Sequence, residues 1–201
     1  SNDYASFLGL LSIVPGMTLI VLATETRFDL AFARVIDACV GTARYDKIEQ
    51  EQSDLFSVVL HDLRLMILFQ SLIVFVCWVF AVPIFDFLGA DTIGLFAFRH
   101  TIIGGLFHLI ILQMCVYLAY YDLFGCILIV WSSFAVTSAL TTALQWHLGA
   151  AAFGGGYMSG AIVGAAVAVT LALNATRKLI YLLFVGNNPS IVGANTHRLW
   201  I

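Results

Sequence analysis

Five long apolar runs, parted by short polar stretches and one long charged one, set the pattern of this chain. A helix crossing a bilayer needs about 20 mostly apolar residues. Runs of that kind fall at residues 5–23, 65–87, 98–120, 124–146 and 156–176. The third and fourth are joined only by "YYDLF", which predicts a tight antiparallel hairpin with Asp122 as a solvated turn residue. The fifth ends at Arg177 and Lys178, ahead of a polar tail containing "GNNPS". The pattern predicts an all-α, polytopic helical membrane protein. It has about five spans and an amphipathic helical segment, in one membrane domain over residues 1–201.

The charged interlude begins abruptly inside "VLATETRFDL", residues 21–30. Glu25 and Arg27 mark where the first span leaves the bilayer. Beyond them Phe28, Phe32, Val35, Ile36 and Cys39 recur at helical spacing, which predicts an amphipathic helix. Gly41 is placed to end it, and Thr42 can cap a second helix with Asp46 near its positive N-terminus. Tyr45, Ile48, Leu55 and Val59 carry the apolar stripe on towards the second span. Residues 25–62 thus read as amphipathic helices with two possible purposes. They could lie on the interface and close a loop, or dock a partner through Glu49, Glu51 and Asp54. A bare connector needs only a few residues.

Composition makes lipid the main solvent. The chain is 61% hydrophobic and only 10% charged, with mean hydropathy +0.98, whereas soluble domains carry about 25% charged residues. No basic patch marks a nucleic-acid footprint. No charged segment precedes the first apolar run, so the start does not read as a cleaved signal peptide, and a part of something longer is expected. Of nine Lys and Arg residues, five (Arg27, Arg34, Arg44, Lys47, Arg64) lie in the interlude and three (Arg177, Lys178, Arg198) in the tail. Positive charges collect on the cytoplasmic side. This places residues 25–62 and the C-terminus inside, with Ser1, Arg99 and the 147–155 loop towards the outer face. Trp146 and Tyr157 would then belt the outer interface, and Tyr120, Tyr121 and Tyr181 the inner one.

Polar residues within the spans are the candidates for function. On the third, Arg99, Gln113, Tyr117 and Tyr121 share a face, while His108 points away with Gly104. On the fourth, Ser133, Thr137, Thr141 and Gln145 step by four. Facing stripes on a hairpin could line an aqueous path through Arg99, Gln113, Tyr117, Ser133 and Thr137. The same groups could instead hydrogen-bond helix to helix. On the fifth, Gly156, Gly160, Gly164 and Ala168 predict close helix packing. Pro15 and Pro83 can bend the first and second spans. The cysteines read as small hydrophobes. No metal-ligand spacing, cofactor motif or catalytic set stands out, so no enzyme is expected.

The order "LGLLSIVPGMTLIVLATETRFD", the charged "YDKIEQEQ", then "FHLIILQMCVYLAYYDL" and a small-residue last span resembles PelG-type exopolysaccharide exporters. These are relatives of the multidrug/oligosaccharidyl-lipid/polysaccharide flippases. The resemblance runs over roughly residues 3–185 and corresponds to the C-terminal part of such a protein. It implies a bacterial inner-membrane transporter of about twelve spans in two bundles, of which this chain supplies part of the second. It further implies an amino-sugar polysaccharide rich in N-acetylgalactosamine as cargo, and biofilm formation as the setting. The partners implied are the cyclic-di-GMP receptor PelD, the helper PelE and the glycosyltransferase PelF. It carries no catalytic residues over. A lipid-linked sugar flippase or drug exporter of the same superfamily, or a scaffold recruiting a synthase, are the alternative readings.

Overall fold

A computed structural model describes residues 2–41, 44–87, 92–145 and 154–186. Thr42, Trp146, most of the 147–155 loop and the tail with Arg198 lie outside the described residues. Among the described residues there is no strand, and five helical stretches are long and apolar enough to cross a membrane.

The first stretch is a nearly continuous rod. It runs from α1 (Asn2–Leu11) and α2 (Val14–Ala23) through a π-helical turn (Thr24–Phe28) into α3 (Asp29–Val40). The break between α1 and α2 has a local cause. Pro15 lacks the N–H that would bond back one turn, and the Ser12 hydroxyl donates to the Gly9 carbonyl at 2.7 Å. The Ser12 carbonyl freed by the break accepts from Gln70 Nε2 at 3.0 Å, a side chain wholly buried on the neighbouring helix. Gly16 leaves room for this side chain: a Cβ there would meet Gln70 Oε1 at 2.7 Å and the end of Leu109, and both would have to shift.

The second stretch is a single helix, α4 (Tyr45–Phe87), of 43 residues. It is about 65 Å long at 1.5 Å per residue, more than twice the roughly 30 Å hydrocarbon layer. Only about half of it fits that layer, and the charged residues gather in its N-terminal half, beside α3. Pro83 sits so near the end that α4 continues through it to Phe87. The charged interlude is two helical segments parted after Gly41, each continuous with a span. One half prolongs the first rod and the other opens α4. Ala31 and Val35 of α3 are buried with Leu55 and Val59 of α4 in one continuous core with the spans, and Ala38 is buried as well. Gly41 ends α3 in extended backbone, its N–H donating to the Asp37 carbonyl at 2.9 Å.

At the centre stands α5 (Thr92–Tyr120), with Ile102, Leu109, Ile111, Met114 and Leu118 sealed inside. Its end is closed by Asp122 at φ 60°. Leu123 N–H donates to Leu118 O at 2.9 Å and Asp122 N–H to Ala119 O at 3.0 Å. This is a Schellman motif with aspartate in the left-handed position that glycine usually holds. Then follow α6 (Phe124–Gln145), α7 (Gly155–Arg177), the short α8 (Leu179–Tyr181) and a closing π-turn (Leu182–Gly186).

The hairpin expected from "YYDLF" opens beyond its turn. α7 packs along both α5 and α6, which touch one another far less. Small residues allow this: a Cβ on Gly160 would meet the Phe134 carbonyl at 2.8 Å, and one on Gly164 would meet Ile111 Cδ1 at 2.8 Å. Gly156 lies against the Ser138 carbonyl, which a Cβ would approach to 3.0 Å. The outer faces of α4 and α6 expose Leu68, Leu72, Phe75, Leu128, Val136 and Leu140, an apolar surface suited to lipid.

Candidate functional site

The strongest concentration of buried polarity lies where the first rod passes from span to interlude. In the π-turn the Asp29 N–H donates to the Thr24 carbonyl, five residues back. The wider turn carries an extra residue, a distortion found often at functional positions. Phe28 is completely buried from this turn and stacks on Tyr117 of α5, with ring centroids 4.2 Å apart and planes 23° from parallel. Arg27, beside it, reaches across to α4, where its Nη2 stands 2.9 Å from Asp62 Oδ1.

Asp62 is the buried acid among the described residues. Its side chain has no exposure, while that of Arg27 keeps 36%. The two groups are in ion-pair contact, but the guanidinium N–H does not point along the line to Oδ1, which makes no aligned hydrogen bond. The other oxygen accepts a long bond from the Tyr117 hydroxyl at 3.5 Å. That hydroxyl in turn accepts from Gln113 Nε2 at 3.0 Å. Charge, phenol and amide thus form one chain linking the first rod, α4 and α5. A buried ion needs such support, since its desolvation costs several kcal/mol.

A second tie lies close by. Thr176 Oγ1 donates to the Ala172 carbonyl at 2.8 Å, so its contact with Tyr121 Oη at 2.9 Å must be donated by the tyrosine. Gln52 of α4 caps the end of α7, its Nε2 donating to Thr176 O at 3.1 Å and also to Arg177 O. The Arg177 guanidinium lies 4.8 Å above the Phe56 ring. The interlude and the end of α7 therefore share one pole of the molecule.

The residues marked in the sequence are only partly brought together. Gln113 and Tyr117 are joined, both fully enclosed. Arg99 sits roughly 21 Å further along α5 by helix rise, its guanidinium 4.8 Å over Trp78 of α4. The Ser133 hydroxyl donates within α6 to Val130 O at 2.8 Å, and the Thr137 carbonyl accepts from Thr141 at 2.8 Å. Glu49 and Asp54 are exposed on α4, whereas Glu51 turns towards α3, 3.9 Å from Arg34 Nε. Among the described residues no cluster of His, Cys, Asp and Glu could hold a metal ion.

Sequence reasoning missed Asp62, Arg27 as its partner, and Phe28. A signal for Asp62 was present. Leu55, Val59, Asp62, Met66 and Gln70 fall at helical spacing and all are buried. An acid in the register of an apolar stripe is a buried acid, and the basic residue needed to pair it had to come from another helix.

Residues 1–184 match the family described as "PelG: Putative exopolysaccharide Exporter (EPS-E)". No curated protein and no solved structure matches the chain. The family match covers nearly the whole chain, including every element of the buried polar junction. This multi-pass helical membrane chain belongs to the PelG family.

Proposed function

We propose that the chain is a membrane-embedded part of an exporter that moves exopolysaccharide across the bacterial cytoplasmic membrane. The family match over residues 1–184 carries this reading. Five helices long and apolar enough to cross a membrane support a transport role. The five spans form a C-terminal bundle, and the conduit arises where it meets a second bundle in the complete exporter.

The orientation follows from the basic residues. Arg27, Arg34, Arg44, Lys47, Arg64, Arg177 and Lys178 belong to segments that meet at one pole through Gln52–Thr176 and Phe56–Arg177. That pole is cytoplasmic by the positive-inside rule. The extension of α3 and the first half of α4 then stands in the cytoplasm. Its exposed acids Glu49 and Asp54 meet the synthesis machinery there, partners of the PelD, PelE and PelF kind. The cargo is an amino-sugar polymer.

The Arg27–Asp62–Tyr117–Gln113 chain serves as the joint between this extension and the span bundle. Amide, phenol and carboxylate bond to one another deep in the core, which favours bracing the exporter over lining its path. The test is deletion of the coding sequence in its host. Extracellular polymer should vanish while polymer synthesis inside the cell continues. Undiminished secretion would overturn the proposal.

A further inference from the structure

We infer that the seam between α5, α6 and α7 is a subsite for a neutral sugar residue of the exported polymer. This rests on the exporter reading above. His108 of α5 stands 5.5 Å from the Trp131 ring and 5.7 Å from the Phe134 ring of α6, both edge-on. It stands 5.9 Å from the Tyr157 ring of α7. Trp131 and Phe134 meet edge to face at 5.8 Å, and Phe134 and Tyr157 at 6.1 Å. Four rings from three helices converge, and all four are half-buried rather than sealed.

Packing alone does not account for the residue types. His108 Nδ1 and Tyr157 Oη are enclosed with no hydrogen-bond partner among the described residues, and so is Ser138 Oγ, one turn along α6 from Phe134 and packed on Gly160. Enclosed polar atoms are nearly always paired in working proteins, because leaving them unpaired is costly. Purely apolar side chains would fill the same seam without that cost. Glycine holds two of the three in place. Tyr157 lies on Gly104, where a Cβ would come within 2.6 Å of its ring, and the Ser138 hydroxyl lies on Gly160.

The missing partner has a definable chemistry. A pyranose offers an apolar C–H face to an aromatic ring and, around its rim, hydroxyl and amide groups that both donate and accept. Imidazole, phenol and serine hydroxyl match that rim, and Trp131, Phe134 and Tyr157 match the face. A few convergent polar groups among aromatic walls is the usual make-up of a small-molecule site. His108 is the one titratable side chain of the four rings besides the Tyr157 phenol, so the seam suits an uncharged ring.

The experiment uses the full-length exporter in its host, with export and binding read separately. Trp131→Ala should lower secreted polymer at least tenfold. Tyr157→Phe and Ser138→Ala, which remove single hydroxyls, should lower it severalfold while membrane level and unfolding temperature stay at wild-type values. Purified wild-type exporter should bind oligosaccharides hydrolysed from the host's own polymer, and Tyr157→Phe should weaken that binding at least threefold. Should Trp131→Ala fail to assemble, the two hydroxyl variants still decide. Normal export and binding in them, with export abolished by deletion of the gene, would overturn the subsite and leave the exporter standing. Normal export after the deletion itself would overturn both.

Discussion

Arg27 Nη2 lies 2.9 Å from Asp62 Oδ1, and this contact joins a π-turn of the first rod to a fully buried acid midway along α4. It sits at the level where both helices pass from the bundle into their extension. Phe28 locks the same turn onto Tyr117 of α5, so the junction is fixed by charge on one side and by stacking on the other.

Breaking this pair from one side should cost more than removing both partners. Arg27→Ala leaves Asp62 buried and uncompensated, which is worth about 3 kcal/mol. The partial exposure of Arg27 lets water offset some of it. Arg27→Met with Asp62→Leu should recover most of the loss, because apolar replacement of both members of a buried pair is often neutral. Denaturant unfolding of the purified protein checks this. Additive losses in the double variant would contradict the pairing.

The glycines of α7 should differ in tolerance. Gly160→Ala sets a Cβ against the Phe134 carbonyl at 2.8 Å, on a backbone that cannot retreat, and against the Ser138 hydroxyl. Overpacking of this kind costs about 1–3 kcal/mol, and Gly160→Leu should prevent assembly. At Gly164 the nearest atom is the end of Ile111 at 2.8 Å, which can turn aside, so Gly164→Ala should be milder. Thermal stability of the two alanine variants, side by side, gives the order.

The turn between α5 and α6 offers a stabilising change. Asp122 holds φ 60° in a Schellman motif, where glycine carries no Cβ penalty. Asp122→Gly should raise stability by about 1 kcal/mol. A loss instead would show that the Asp122 side chain makes a contact worth more than the backbone strain.

Replacing Glu49, Glu51 and Asp54 with Ala should leave insertion and stability nearly unchanged, since the Arg34–Glu51 contact at 3.9 Å is a surface pair worth at most about 1 kcal/mol. Recovery of cytoplasmic partners with the full-length exporter should fall. Equal recovery and normal secretion would make the extension a connector only.

The spans were legible because an apolar run long enough to cross a bilayer has few other uses. Their neighbours were not. "YYDLF" forces α5 and α6 to start side by side but says nothing of how far they stay so. The glycine spacing of α7 announced a close approach without saying that α6 and α5 would both make it. Gln113 and Tyr117 were legible as polar groups that must face inward, and they do bond to each other. On α6 the Ser133 and Thr141 hydroxyls return to carbonyls of their own helix, Val130 and Thr137, as hydroxyls can. The π-turn left no mark in the sequence. "TETRF" suits an ordinary helix, and only packing against Tyr117 and Asp62 selects the wider one.

Translocation in inverted membrane vesicles tests the central claim most directly. Vesicles carrying the full-length exporter and its synthase would be fed sugar nucleotide, and the product would then be treated with a glycosidase that cannot cross the membrane. Polymer should accumulate inside, protected from the enzyme until detergent is added, and only when the exporter is present. Polymer made in equal amount but left open to the glycosidase with the exporter in place would contradict the account.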